Sequence, residues 1–254
     1  MAASGSAINP IEQFSLSEIV QIEIAHHNFS LTNSSLYMLI AVGLTCALML
    51  LSVRAGVDVP GRMQSLAEMA YEFVAGMVRS AGGEHAMKFL PLVFSLFMFI
   101  LLCNIVGVLP YSFTVTSHIV ITAALALLVF FTVIVVGFKE HGLGFFKLFV
   151  PSGVPMAILP LVVAIEIISF FTRPLSHSVR LFANMLAGHI TLNVFGGFVV
   201  MLLGASAVFK ALAILPFALT IGIYALEVLV AFLQAYVFAM LTCMYLNDAL
   251  HPSH

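Results

Sequence analysis

Apolar residues run along this chain in blocks too long for a soluble core, and clusters of polar residues mark where each block ends. Residues 36–53 form the first block, just long enough to cross a hydrocarbon layer of roughly 30 Å. Residues 89–109, closed by Pro110, and residues 119–138 form the second and third. Residues 61–80 have a different texture. Met63, Leu66, Ala67, Ala70, Val74, Met77 and Val78 recur at intervals of three and four, while Gln64, Ser65, Glu68, Glu72 and Arg79 fall mainly on the other face. That period predicts an amphipathic helix lying on the membrane surface or packed on a partner, ended by Gly82-Gly83. The link 111–118 is short and has no Lys or Arg. The loop 139–155 carries Lys139, Glu140, His141 and Lys147 among Gly142, Gly144, Pro151, Gly153 and Pro155.

The pattern then changes. Residues 156–203 contain no polar loop, and residues 207–246 are interrupted only by Pro216 and Gly222. A helix of about 48 residues is about 72 Å long, more than twice the hydrocarbon thickness. Each segment is therefore a two-span hairpin, with Gly196-Gly197 as a turn in the first, or one long helix steeply tilted through protein. A polar stripe that passes through Arg180 without a break favours the long helices. The expected fold is an all-α polytopic membrane protein. It has five membrane-crossing helices and one amphipathic surface helix, and the last two crossings are long and steeply tilted. Residues 1–35 read as an extracytoplasmic arm with a surface helix over 11–24, and residues 36–254 as a single membrane domain.

Composition agrees with that class. The 254 residues are 62% hydrophobic and 8% charged, with a mean hydropathy of +1.16, where a soluble domain carries about 25% charged residues. A net charge of −2 offers nucleic acid nothing to bind. Cys46, Cys103 and Cys243 lie in apolar runs without metal-ligand spacing, so they read as small core hydrophobes and no metal is expected. Trp is absent, so any aromatic belt rests on Tyr and Phe. Residues 1–35 hold Glu12, Glu18 and Glu23 but no Lys or Arg, which does not fit a cleavable signal. With five crossings, Arg54, Arg62, Arg79, Lys88, Lys139 and Lys147 fall on one side and Lys210 on the other. Positive charge marks the inside, so the N-terminus is expected outside and the C-terminus, with Asp248, in the cytoplasm.

The ionisable residues within the two long segments are few: Glu166, Arg173, His177, Arg180, His189, Lys210 and Glu227. Arg180 is the most informative. A guanidinium does not give up its charge at any ordinary pH, and holding it mid-bilayer costs roughly 2.5–3.5 kcal/mol on insertion scales. Glu166, Arg173, His177, Arg180 and Asn184 follow at spacings of seven, four, three and four, which puts them on one helix face. Tyr224, Glu227 and Gln234 make a second, sparser stripe on the last helix. Two striped helices invite pairing, stripe toward stripe. Carboxylates and imidazoles exchange protons near neutrality, whereas arginine does not and so interrupts a proton wire. Arg173 and His177 are expected near the cytoplasmic interface, where they snorkel. Asn104 is expected to bond a neighbouring helix. His26, His27, His85, His118 and His141 fall in loops or at interfaces.

The residues from Arg173 to His189, reading RPLSHSVRLFANMLAGH, resemble the signature helix of subunit a of the F-type ATP synthase. The run from Glu227 through Gln234 is similar to that family's last helix, and Asn104 to Pro110 to its second-span motif. The likeness covers essentially the whole chain, including the arm around Asn9 to Phe14 and Thr32 to Ser35. It implies a stator beside a rotating ring of c subunits, each with a membrane carboxylate, and two offset half-channels that carry protons to and from it. It matches Arg180 to the essential arginine. It matches His189, Glu227, Asn184 and Gln234 to the outer half-channel, and Glu166, with Ser176, to the inner one. Arg173, His177, Asn104 and Tyr224 are accessory. Many bacterial relatives carry Glu after Ala-Gly and His on the last helix. His189 and Glu227 exchange those types, which resembles the alphaproteobacterial and mitochondrial branch. The implied partners are the c ring, b-type peripheral stalk subunits, the other synthase subunits and the lipid bilayer. The implied place is the bacterial inner membrane, with the ATP chemistry on other subunits and no cofactor.

Other classes fit less well. A secondary transporter would show discontinuous helices and a repeat. An intramembrane protease would need a nucleophile facing its base, but adjacent Ser176 and His177 point about 100° apart on a helix, and no His-Glu-x-x-His occurs.

Overall fold

The computed structural model describes residues 18–20, 23–24, 27–28, 30–53, 61–109, 112–150, 155–156 and 158–250. Four strands of two or three residues come first. β1 (Glu18–Val20) pairs antiparallel with β4 (Leu31–Thr32), and β2 (Glu23–Ile24) pairs with β3 (His27–Asn28) inside it. The helix expected over 11–24 is therefore replaced by strand at 18–20 and 23–24, and the rest of it lies outside the described residues. Apolar Val20, Ile22 and Ile24 alternate with polar Gln21 and Glu23, the period of a strand rather than a helix.

Every described residue after 32 is helical or connects helices. α1 (Asn33–Val53) opens on a reciprocal pair, in which the Thr32 amide donates to Ser35 Oγ at 3.0 Å and the Ser35 amide to Thr32 Oγ1 at 3.4 Å. These bonds satisfy amides that a helix start leaves without partners. α2 (Arg62–Ala86) is the amphipathic helix. Its continuity breaks at Gly83, whose φ of 65° is a left-handed conformation that favours glycine. Ala67, Val74, Met77 and Val78 are buried as the pattern required, but Met63 and Leu66 remain half exposed in the first turns. α3 (Leu90–Val108) begins with Pro91 in its first turn, where a missing N–H costs nothing. α4 (Ile119–His141) ends at Gly142.

α5 (Leu159–Leu203) is one uninterrupted helix of 45 residues, running through Pro174, Gly196 and Gly197. That removes the hairpin alternative. Its length of about 68 Å exceeds the hydrocarbon core more than twofold. The last segment departs from expectation. α6 (Ala207–Leu212) stops, and α7 (Ile214–Leu250) starts after a break at Ala213. Pro216 has no N–H to offer the Leu212 carbonyl, so a continuous helix would lose a bond there. By length and composition five helical stretches can cross a membrane: Asn33–Ser52, Arg62–Val108, Ile119–His141, Leu159–Leu203 and Phe209–Leu250.

Packing is inverted relative to a soluble protein. Leu39, Val120, Phe131, Val135, Leu161, Ile168, Val200 and Leu215 are exposed, while Asn104, Thr114, Thr116, Thr122, His177, His189, Glu227, Gln234 and Thr242 are buried. Lipid replaces water outside, so close packing and polar pairing hold the helices together. α7 is the hub, against α2, α3, α4 and α5. Ala231, Ala235 and Ala239 repeat every four residues along it and are all fully buried, a row of small side chains that lets neighbouring backbones close in. Cys103 and Cys243 are core residues, but Cys46 is exposed on α1 and is not.

At one end of the bundle, Phe170 sits among the rings of Phe130, Phe145, Phe149 and Phe171, with centroids 5.1–6.2 Å away. Phe170→Ala is expected to destabilise the folded chain by roughly 3 kcal/mol, the low end of the large-to-small range because lipid is the reference medium. Phe131→Ala, on the exposed face, is expected to cost less than about 1 kcal/mol. Thermal unfolding of the two variants in one detergent measures the difference.

Candidate functional site

His189 and Glu227 come from different long helices and meet. α5 carries His189 on its buried face with Leu181 and Met185, and α7 carries Glu227 on its buried face with Ala231 and Gln234. His189 Nε2 lies 3.4 Å from Glu227 Oε1. Both side chains are less than a tenth exposed, and neither carboxylate oxygen has a hydrogen-bond partner among the described residues. Gly188 makes the approach feasible. A Cβ built there would sit 2.8 Å from Glu227 Oε1, so any larger residue would displace the carboxylate.

The connector between α3 and α4 closes over this pair. Thr114 Oγ1 is 2.8 Å from His189 Nε2. Thr116 donates to Asn104 Oδ1 at 2.8 Å, and Asn104 donates to the Ala231 carbonyl at 3.3 Å. Asn104 thus ties α3, the connector and α7 together, as the expected bond to a neighbouring helix. Farther along, Thr122 and Ser178 join α4 to α5 through hydroxyls 3.1 Å apart. Tyr224, half-buried, packs on Val108, Met185 and Ala231. His118 ends the connector stacked on Phe113, and burial lowers its pKa from the ordinary value of the imidazole.

The expected stripe on α5 divides. His177 is buried, with its ring 3.9 Å from that of Phe238 and Nε2 unpartnered among the described residues. It does not snorkel. Arg173 is part-buried, donates to Asp248 at 2.9 Å and lies over the Tyr245 ring. Glu166 is half-buried. Ser176, Arg180 and Asn184, each four residues from the next, stand on the exposed face instead. The five spaced residues share a sector, as the spacing required, but that sector straddles the edge between the bundle and its outer surface. Among the described residues Arg180 makes no ion pair. Its backbone carbonyl accepts from Gln234 Nε2 at 2.8 Å, which fixes the helix at that turn to α7.

Thr114, Thr116 and Asp248 were not legible as site residues. The available signal was the run of hydroxyls at Ser112, Thr114, Thr116 and Ser117 between two spans, all of which fold inward. Among the described residues no group of His, Cys, Asp and Glu could hold a metal ion.

Known proteins resemble the chain along nearly its whole length. Residues 35–247 match the family model described as ATP synthase A chain. The chain is 61% identical to the ATP synthase subunit a of Mesorhizobium japonicum, over 97% of its own length and 98% of the relative's. It is 61% identical to that of Chelativorans sp., over 98% and 100%, and 60% identical to one from Rhodopseudomonas palustris, over 97% and 100%. All three are alphaproteobacterial. The spans and these relatives together support a place in the bacterial inner membrane. A buried imidazole–carboxylate pair, an arginine left on the outer face of a 45-residue helix, and relatives alike from end to end lead to one conclusion: the chain belongs to the ATP synthase subunit a family.

Proposed function

We propose that this chain is the non-catalytic stator of a proton-driven rotary motor, passing protons to and from carboxylates on a ring of c subunits. The observation that carries the reading is Arg180. Its side chain stands on an exposed face of α5 with Ser176, Ala183 and Asn184. A permanent cation facing a hydrocarbon medium calls for an anion in that medium, and a ring carboxylate supplies one when it is deprotonated.

The division of labour follows from the chemistry. His189 and Glu227, both titratable, form the outer half-channel with Asn184 and Gln234. Gln234 also holds the Arg180 turn through its backbone. Glu166 and Ser176 serve the inner half-channel, with Arg173, His177, Asn104 and Tyr224 as accessories. Arg180 stands between the two paths and does not titrate. A proton entering from outside therefore reaches the inside only by riding a ring carboxylate around the rotor. The guanidinium attracts each carboxylate as it loses its proton and releases it as it gains one. Peripheral stalk subunits of the b type hold the chain against the ring, and ATP chemistry takes place on other subunits. The N-terminus lies outside and the C-terminus in the cytoplasm.

Arg180→Ala tests the reading. Gradient-driven ATP synthesis is expected to vanish in vesicles whose complexes have full subunit content, while passive proton flux through the membrane sector rises. Arg180→Lys keeps a charge but loses the planar fork, and is expected to leave coupling incomplete. Wild-type synthesis by an assembled Arg180→Ala complex would refute the mechanism.

Glu227→Gln is expected to lower gradient-driven synthesis by roughly a hundredfold, the scale of losing a positioned acid–base group. The exchanged pair, His189→Glu with Glu227→His, is expected to recover part of that loss. Synthesis rates in assembled complexes decide this, and a normal rate for Glu227→Gln removes it from the path. The orientation is checked by labelling. In a cysteine-free background, a Cys beside Lys210 should react with an impermeant thiol reagent from outside intact cells, and one beside Lys147 should not.

A further inference from the structure

A deeply buried hydroxyl lies against the His189–Glu227 pair. Thr114 is 2% exposed. Its backbone is locked, because Ser117 Oγ donates to the Thr114 carbonyl at 2.6 Å and the Ser117 amide donates to it at 3.3 Å. Its side-chain oxygen has two neighbours. One is His189 Nε2 at 2.8 Å, and the other is the Gly107 carbonyl at 3.3 Å. That carbonyl lies in the last turn of α3, where helix carbonyls lack intrahelical partners. Ser112 Oγ also lies 2.9 Å from it and shares its single proton with the Leu109 carbonyl at 2.6 Å. The Thr114–Gly107 bond is the longer of the two, and the Ser112 hydroxyl stays within reach of the carbonyl when it is broken.

We propose that Thr114 is a positioning residue that decides which protonation state of His189 faces Glu227. This rests on the reading of His189 and Glu227 as one proton path. A hydroxyl has one proton to give and lone pairs to accept. With its proton on the Gly107 carbonyl, Thr114 accepts from Nε2–H of a His189 imidazolium, protonated on both ring nitrogens, whose Nε2 also lies 3.4 Å from Glu227 Oε1. When Nε2 passes its proton to the Glu227 carboxylate, an N–H bond breaks, an O–H bond forms, and a lone pair is left on Nε2. The Thr114 hydroxyl then turns its proton from the Gly107 carbonyl to Nε2 and caps that lone pair. Thr114 gains and loses nothing, and each state of the pair has a matched partner. Without the hydroxyl, the Nε2–H pairs with the carboxylate alone, so the charged pair holds its proton more tightly.

The titratable groups that face this hydroxyl or pack on its surroundings are His189 on α5, Glu227 and Tyr224 on α7, Cys103 on α3, Tyr37 on α1, whose ring meets Phe113, and His118 on the connector itself. The pH dependence of transport therefore reads the pair directly once these are left intact.

The test uses the whole synthase in vesicles with measured subunit content. Thr114→Val keeps shape and removes the hydroxyl, and Thr114→Ser keeps the hydroxyl. Thr114→Ala replaces the Val variant where complex content falls. The expected result for Thr114→Val is a loss of gradient-driven synthesis of roughly tenfold, the lower end for removing the outer partner of a functional histidine. Its dependence on the pH of the proton-entry side moves toward alkaline values, and Thr114→Ser restores both rate and profile. A wild-type rate and profile for Thr114→Val, beside a Glu227→Gln complex that fails, overturns the role of Thr114 while leaving the pair in place. A slowed Thr114→Val enzyme with an unmoved profile also overturns it, because packing alone explains that outcome. Normal synthesis by Glu227→Gln overturns the underlying path instead.

Discussion

A carboxyl and an imidazole held 3.4 Å apart, away from water, constrain the rest of this fold. Burying such groups is costly unless each finds a partner, and the site is assembled from four directions. α5 brings His189, α7 brings Glu227, the connector brings Thr114, and α3 brings Asn104 to hold both connector and α7. Gly188 leaves room for the carboxylate, and the Ala231–Ala235–Ala239 row lets α7 sit in close contact with its neighbours.

The helices were readable because a membrane imposes a length and a polarity rule that survive in one dimension. Residues 119–138 could only be a span, and α4 is one. The 3.6-residue period over 61–80 could only be a one-sided helix, and Gly83 breaks α2 close to where the glycine pair predicted. The N-terminal segment failed for the opposite reason. Residues 18–32 are too short and too mixed for either period to dominate, so pairing between strands decides the conformation. The division between α6 and α7 depends on a single missing N–H at Pro216, which hydropathy does not register.

The site was legible to the extent that spacing along a helix determines which residues share a side. His189 and Glu227 were each identifiable as titratable groups in apolar segments, but His189 lies outside the five-residue stripe, so spacing alone did not bring the two together. Spacing could not say which edge of a stripe turns inward. His177 and Arg180 are three residues apart, yet one is buried against Phe238 and the other is exposed. That distinction depends on where α4 and α7 lie around α5. Thr114 was hidden for a related reason: a threonine in a loop carries no signal until the loop is known to fold inward.

The two arginines of α5 show how the same side chain takes different roles in the same helix. Arg173 is answered within the chain, by Asp248 at 2.9 Å and by the face of Tyr245. Its charge is spent tying α5 to the end of α7. Arg180 lies two turns on, where Gln234 binds its backbone and leaves the guanidinium free of any ion pair among the described residues. Had an acidic residue of this chain stood opposite Arg180, the charge would be neutralised permanently and a passing carboxylate would feel little attraction. Holding the helix by its backbone while leaving the cation unanswered keeps the interaction available to an external anion. Under the proposed function that cation stays close in sequence to His189 without offering it a proton, and attraction and proton transfer then fall to different side chains on one helix.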